Sequence, residues 1–208
     1  MAWLGLAERK EQGEFMRICV YGAASPTIDD EYKNKVKEMG REMVRRGHSL
    51  TFGGGGNGLM GAVAEGVRAE NGYIFGVIPK FFEAEKVEAV SSICDTLVQP
   101  ETMRERKQIM EDNADAFLIV PGGIGTFEEF FEILTLKQLC RHNKPIAIYN
   151  IKGYYNELMF AIEKATEKNF IRGGCLDLMR VSEDLDELFA YIETPVTKVR
   201  NVHDLKDG

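Results

Sequence analysis

Residues 116–139 read AFLIVPGGIGTFEEFFEILTLKQL. The run 116–120 is short, apolar and uncharged, the pattern of a buried strand, and Pro121 ends it. Gly122, Gly123 and Gly125 follow in a loop where no Cβ holds a ligand off the backbone. Thr126 is a good N-cap, and Glu129 three residues on completes a capping-box pattern, so a helix is expected to start there. Backbone N–H groups at a helix start, reached through a glycine loop, make an anion site. The stretch therefore predicts a phosphate held at the carboxyl end of a strand, with Glu128 and Glu129 beside it.

At 100° per residue, Phe127, Phe130, Phe131 and Leu134 share one face of that helix, the face expected to pack on the sheet. Glu129, Ile133, Leu136 and Cys140 lie roughly opposite. That second face is too apolar for open water and predicts a cover, most simply a second subunit. Glu128 and Thr135, seven residues apart, fall on a third stripe.

Outward from this stretch, strands and helices alternate. Strands are expected at 17–21, 49–52, 73–78, 96–98, 145–149 and 178–181. Helices are expected at 29–46, 59–70, 101–113, 155–168 and 184–192. Such alternation predicts an α/β fold, a doubly wound, Rossmann-like parallel sheet with helices on both faces. Ligands on such sheets bind beyond the carboxyl ends of the strands, at a topological switch point. Three loops fall at such ends: Gly22-Ala23-Ala24-Ser25, the glycine run 53–58 and the glycine loop 122–125. Together they predict one crevice. Small residues at Gly61, Ala62, Ala64 and Gly66 permit close helix packing. Residues 81–94 read as a mobile loop with a short helix.

The chain has 208 residues, enough for one domain over 17–193, with an arm at 1–16 and a polar tail at 194–208. A net charge of −7 argues against nucleic-acid binding, so any phosphate site must be local. No run reaches the length of a membrane span or a signal peptide. Cys19, Cys94, Cys140 and Cys175 show no metal or disulfide spacing, which fits free thiols in a reducing cytoplasm. His48, His142 and His203 are far apart, without ligand spacing, and read as surface or turn residues, so no metal is expected.

The run 53–58 has no Lys-Ser/Thr after it and no acidic ribose partner, so it is neither a P-loop nor a dinucleotide fingerprint. Taken alone it reads equally well as a tight turn. Helix 101–113 carries Met103-Arg104-Glu105-Arg106-Lys107, and its start is expected near the crevice. Arginine offers a fixed fork of donors for phosphate or carboxylate, and lysine a point charge.

MRERK followed by PGGIGTFEE resembles the paired signature of the LOG ("Lonely Guy") proteins, cytokinin riboside 5′-monophosphate phosphoribohydrolases whose bacterial relatives are often labelled lysine decarboxylases. GGGGNGLMGAVAEG is similar to the family's other loop, and the resemblance runs from Arg17 to about Ile192. Arg104 stands where many members have His, Ile124 where many have Tyr, and GAAS replaces the frequent GSS. The resemblance implies hydrolysis of the N-glycosidic bond of a purine riboside 5′-monophosphate, with Arg106 and Glu129 as the catalytic pair and no cofactor. Substrate contacts are expected at Ser25, Gly54, Gly55, Met103, Lys107, Gly122, Gly123, Gly125, Thr126, Glu128 and Thr135. It also implies dimers or larger assemblies of dimers.

Two other functions compete. A nucleotide-binding sensor or carrier would keep the glycine loops and bind an AMP-like nucleotide without turnover. A decarboxylase would need pyridoxal phosphate on a lysine, and no lysine stands out for that role.

Overall fold

The computed structural model describes residues 15–85 and 89–195. Seven strands form one parallel sheet: β1 (Arg17–Tyr21), β2 (Ser49–Phe52), β3 (Ile74–Val77), β4 (Thr96–Val98), β5 (Ala116–Ile119), β6 (Ile146–Tyr149) and β7 (Arg180–Ser182). Their spatial order is β4-β3-β2-β1-β5-β6-β7. The chain winds outward from β1 to one edge, then returns to place β5 on the other side of β1, with Cys19 beside Phe117 and Val20 beside Leu118. The topological switch point therefore lies between β1 and β5. The arm at 1–16 and the tail at 194–208 fall outside the described residues, apart from Phe15, Met16, Thr194 and Pro195.

The central strands read as continuous apolar runs because both faces are covered. Side chains alternate along each strand. Ile18 and Val20 of β1, with Ala116 and Leu118 of β5, enter a core on one face beneath α1 (Asp30–Arg45), α2 (Gly58–Ala69) and α7 (Leu185–Glu193). Cys19, Tyr21, Phe117 and Ile119 enter the other core, beneath α4 (Met103–Asp112), α5 (Ile124–Gln138) and α6 (Asn156–Glu167). Small residues do bring α1 and α2 together: a Cβ on Gly66 would lie 2.0 Å from the Lys37 carbonyl oxygen.

Two expectations about α5 are corrected. The first is the cap of α5. The helix starts at Ile124 with Gly123 as N-cap and no side-chain cap bond. Thr126 is in the first turn, buried, its side chain against Gly122. A capping box does form one helix earlier, where Thr102 Oγ1 accepts from Glu105 N–H at 3.1 Å and Glu105 reaches back to Thr102 N–H.

The second correction is the face of α5. Its buried residues are Thr126, Glu129, Phe130, Ile133, Leu134 and Lys137, a face turned by roughly 80° from the aromatic one at 100° per residue. Glu129 is drawn inward by Arg106 of α4, and Phe131 is turned out. Ile133, expected at a subunit boundary, is fully buried in its own chain. The exposed apolar stripe is Ile124 (83 %), Phe131 (39 %) and Leu139 (47 %).

The short helix expected within residues 81–94 is present as α3 (Lys80–Ala84), and beyond it Val90 forms an antiparallel bridge to Gly55, so part of this segment is laid along the first glycine loop.

Candidate active site

The crevice opens over β1, β2 and β5. Its foot is a cavity of about 50 Å³ lined by Tyr21, Gly22, Gly53, Gly55, Arg106 and Glu129 among others. That space holds a few waters, so a nucleotide would lie across its mouth.

Glu129 is drawn into this foot by α5 and Arg106 by α4. Arg106 Nη1 donates to Glu129 Oε1 at 3.0 Å, and both side chains are about nine-tenths buried (11 % and 10 % exposed). Arg106 Nε donates to the Val77 carbonyl at 3.2 Å, and its guanidinium lies 6.0 Å from the Phe82 ring centroid. Its Nη2 end also abuts Gly53, where a Cβ would come within 2.1 Å of it. Burial pushes the Glu129 carboxyl up, and Arg106 only partly opposes it, leaving it at about 7. A carboxyl poised there can accept a proton near neutral pH.

Lys107, the next residue of α4, also reaches α5 but meets two other acids. Its Nζ lies 2.5 Å from Glu128 Oε1 and 2.7 Å from Glu132 Oε2. Burial alone would lower its proton affinity, but the two carboxylates outweigh that and raise it.

In the loop after β5, Gly122 is required by its own chain, since a Cβ there would lie 2.1 Å from Thr126 Oγ1. Gly123 and Gly125 are different: nothing lies within 4 Å of a Cβ at either position. Neither has the positive φ that favours glycine. Gly125 sits inside the first turn of a helix, where glycine costs about 1 kcal/mol relative to alanine. The first N–H groups of α5 have no intrahelical acceptor, and a bare backbone around them suits close approach by an anion.

Most of the expected site residues are brought to this edge of the sheet, at differing depth. Gly55 lines the cavity. Gly54 turns away toward Ile78 with φ +74, and its carbonyl accepts from Ser91 N–H at 2.8 Å. Ser25 is exposed, its Oγ 3.0 Å from Thr27 Oγ1, and Met103 is exposed at the start of α4. Glu128 is exposed and engaged with Lys107. Thr135 is not brought in: it is exposed, ten residues beyond Gly125 and so about 15 Å along the helix.

Sequence reading missed Gly53, Tyr21 and Phe82 around Arg106, and a pair of tyrosines behind the loop. Tyr154 and Tyr155 hydroxyls donate to the Gly122 and Val120 carbonyls, each at 2.7 Å. Of the histidines, expected as surface or turn residues, His48 and His142 both lie in connecting segments and neither is exposed. His48 is buried beside Glu193, and His142 Nε2 donates to the Ile133 carbonyl at 2.8 Å. His203 lies outside the described residues.

A doubly wound α/β protein with its crevice over the switch point is the class these features define. Comparison with known proteins narrows it. A family model described as "Possible lysine decarboxylase" matches residues 60–192. LOG3 of Arabidopsis thaliana, named a cytokinin riboside 5′-monophosphate phosphoribohydrolase, is 35% identical over 191 residues, 89% of this chain and 86% of its own. LOGL2 of Oryza sativa subsp. japonica, named a probable enzyme of the same kind, is 36% identical over 187 residues, 88% of this chain and 74% of its own. The chain belongs to the LOG family. Among solved structures, the Moco carrier protein of Chlamydomonas reinhardtii is similar in fold, with a TM-score of 0.62 at 21% identity over 83% of this chain and 92% of that one.

Proposed function

We propose that the protein hydrolyses the N-glycosidic bond of purine riboside 5′-monophosphates, with adenine or an N6-modified adenine as the base, to free base and ribose 5-phosphate. The observation that carries this reading is the buried Arg106–Glu129 pair at the foot of the crevice, little more than a turn inside the glycine-built start of α5. The names of relatives that match most of the chain support it.

In this reaction the C1′–N bond breaks and its electron pair leaves on the base, so positive charge develops on the ribose. The Glu129 carboxylate faces that charge, orients the water that adds to C1′ and takes its proton, which then passes to the departed base to give the neutral product and restore the carboxylate. Arg106 holds Glu129 in place and turns its remaining N–H groups toward the departing base. The N–H groups at Gly123, Gly125 and Thr126 grip the 5′-phosphate, and Gly122 lets Thr126 pack beneath them. Lys107 adds positive charge, held by Glu128. Ser25, Gly55 and Met103 frame the opening, and Gly54, turned toward Ile78, shapes the loop behind them.

The decarboxylase reading needs a lysine that can lose its proton to form a Schiff base. Lys107, beside the site, is held as an ammonium by Glu128 and Glu132. The carrier reading predicts nucleotide bound and left intact.

A cytoplasmic enzyme is further proposed: its four cysteines are free thiols, and no helix among the described residues is long and apolar enough to cross a membrane. A homodimer is proposed as well, through the exposed stripe Ile124, Phe131 and Leu139 in place of the Ile133 face. Light scattering decides that part, and a monomer at all concentrations contradicts it.

The activity is tested by incubating the protein with AMP, an N6-prenylated AMP and adenosine, and separating the products by chromatography. Adenine should appear from AMP, and adenosine, lacking phosphate, should be a far poorer substrate. Nucleotide bound without base release supports the carrier instead.

A further inference from the structure

Residues 150–156, NIKGYYN, leave the carboxyl end of β6 and form a turn that the proposed chemistry does not use. The turn is costly to build. Lys152 is left-handed at φ 56 and ψ 32, a conformation that disfavours a residue with a Cβ. Gly153 follows at φ +69, where a Cβ would come within 2.6 Å of Asn156 Nδ2. Buried Asn150 ties the turn together: its Oδ1 accepts from Tyr155 N–H at 2.7 Å, and its Nδ2 donates to Asn156 Oδ1 at 2.8 Å.

The product of this construction is a pair of adjacent tyrosines with ring planes at 88° and centroids 5.0 Å apart. Their hydroxyls diverge onto one loop. Tyr155 donates to the Val120 carbonyl and Tyr154 to the Gly122 carbonyl, each at 2.7 Å. The carbonyl between them, of Pro121, accepts from Ala23 N–H at 3.1 Å. Three successive carbonyls are thus tied from outside the loop.

A trans peptide plane points its C=O and the next N–H in opposite directions. Fixing the Gly122 carbonyl therefore fixes the Gly123 N–H on the other side of the plane. Fixing the Pro121 carbonyl does the same for the Gly122 N–H. Glycine pairs have more backbone freedom than any other sequence, so without an external tie these planes would turn.

We propose that Tyr154 is a positioning residue that orients the glycine loop between β5 and α5, with Tyr155 anchoring the start of that loop at the Val120 carbonyl, so that the Gly123 N–H faces the 5′-phosphate of the substrate. The identity of that ligand rests on the phosphoribohydrolase reading; the clamp itself requires only an anion. Burial raises the Tyr155 phenol far above the working pH range, so it stays a donor throughout.

The test uses the full chain and Tyr154→Phe, Tyr155→Phe and Tyr32→Phe. Tyr32 is the control, since its ring meets Tyr154 edge-on at 6.4 Å without being part of the loop's ties. Inorganic phosphate and ribose 5-phosphate are titrated calorimetrically, and kcat and KM are measured with AMP. Tyr154→Phe, at a half-exposed position, should keep the wild-type melting temperature and bind both probes about fivefold more weakly, the scale of one neutral hydrogen bond. KM for AMP should rise by a similar factor with kcat nearly unchanged. Tyr155→Phe should melt lower, since it leaves a buried carbonyl unpaired, and weaken binding less than Tyr154→Phe, since the plane between Val120 and Pro121 carries no N–H. Tyr32→Phe should match wild type. Weakened probe binding without any AMP hydrolysis would support the clamp and remove the hydrolase reading. Unchanged probe affinity in a folded Tyr154→Phe, or no binding of either probe by wild type, would overturn the clamp.

Discussion

The two glycine-rich loops at the carboxyl edge of the sheet, residues 53–58 and 122–125, are alike in composition and unlike in cause. In the first, the protein itself demands Gly53, Gly54 and Gly58. Gly53 makes room for the Arg106 guanidinium, and Gly54 and Gly58 have positive φ. Gly58 also lies against Ala23, Ala24 and Ser25, where a Cβ would come within 2.6 to 2.8 Å of backbone atoms. The Gly56 N–H is already spent on the Ala89 carbonyl at 2.7 Å. In the second loop, Gly123 and Gly125 face open space. A glycine that its own fold does not need is the better evidence for a ligand.

The comparison can be broken by placing alanine in each loop. The largest effect is expected at Gly58→Ala, which combines a left-handed backbone with a backbone clash. It should cost about 3 kcal/mol of stability in chemical denaturation. A variant as stable as wild type would mean the first loop is also open.

Gly125→Ala should do the reverse. In a helical turn it should gain about 0.5 kcal/mol of stability. Binding of AMP should weaken about tenfold, because the new methyl stands where the anion approaches. Unchanged AMP affinity would remove the argument from open space.

A smaller effect sharpens the role of the buried carboxyl at the junction of the loops. With Glu129 at about 7, kcat/KM should rise with pH through that value if the carboxylate is the working form. Stability should move the other way. The folded group binds its proton more tightly than the unfolded one, at 4.5. Its contribution is therefore present below 4.5 and lost as pH rises through about 7. Thermal melts at pH 5 and 8 should show this loss in wild type and less of it in Glu129→Gln. Glu111, also raised to about 7 by burial and then Glu132, titrates in both and cancels in the difference.

The fold was readable in the sequence because parallel strands covered on both faces become largely apolar runs, and those at the crevice, β1, β2 and β5, run into Gly22, Gly53 and Pro121. The crevice followed from loops at the strand ends, and Arg106 and Glu129 from their motifs. The orientation of α5 was not readable from a helical wheel. Four large apolar side chains outweighed one acid on the wheel, whereas in the fold an ion pair with Arg106 draws Glu129 inward and leaves Phe131 exposed. The cap was misplaced for a related reason: Thr126 and Glu129 fit a capping box, but both side chains are buried. Tyr154 and Tyr155 were missed because bonds from hydroxyls to a distant loop leave no periodicity. The signal available was two aromatic residues following Gly153 at the carboxyl end of a strand.

The most direct test of the account compares wild type with Glu129→Gln, measuring release of adenine from AMP and AMP affinity side by side. Glutamine keeps an oxygen for Arg106 and removes the charge. Base release should fall by about a hundredfold or more while AMP affinity changes little. Wild-type turnover in Glu129→Gln would contradict the account and leave Glu129 as a packing partner of Arg106.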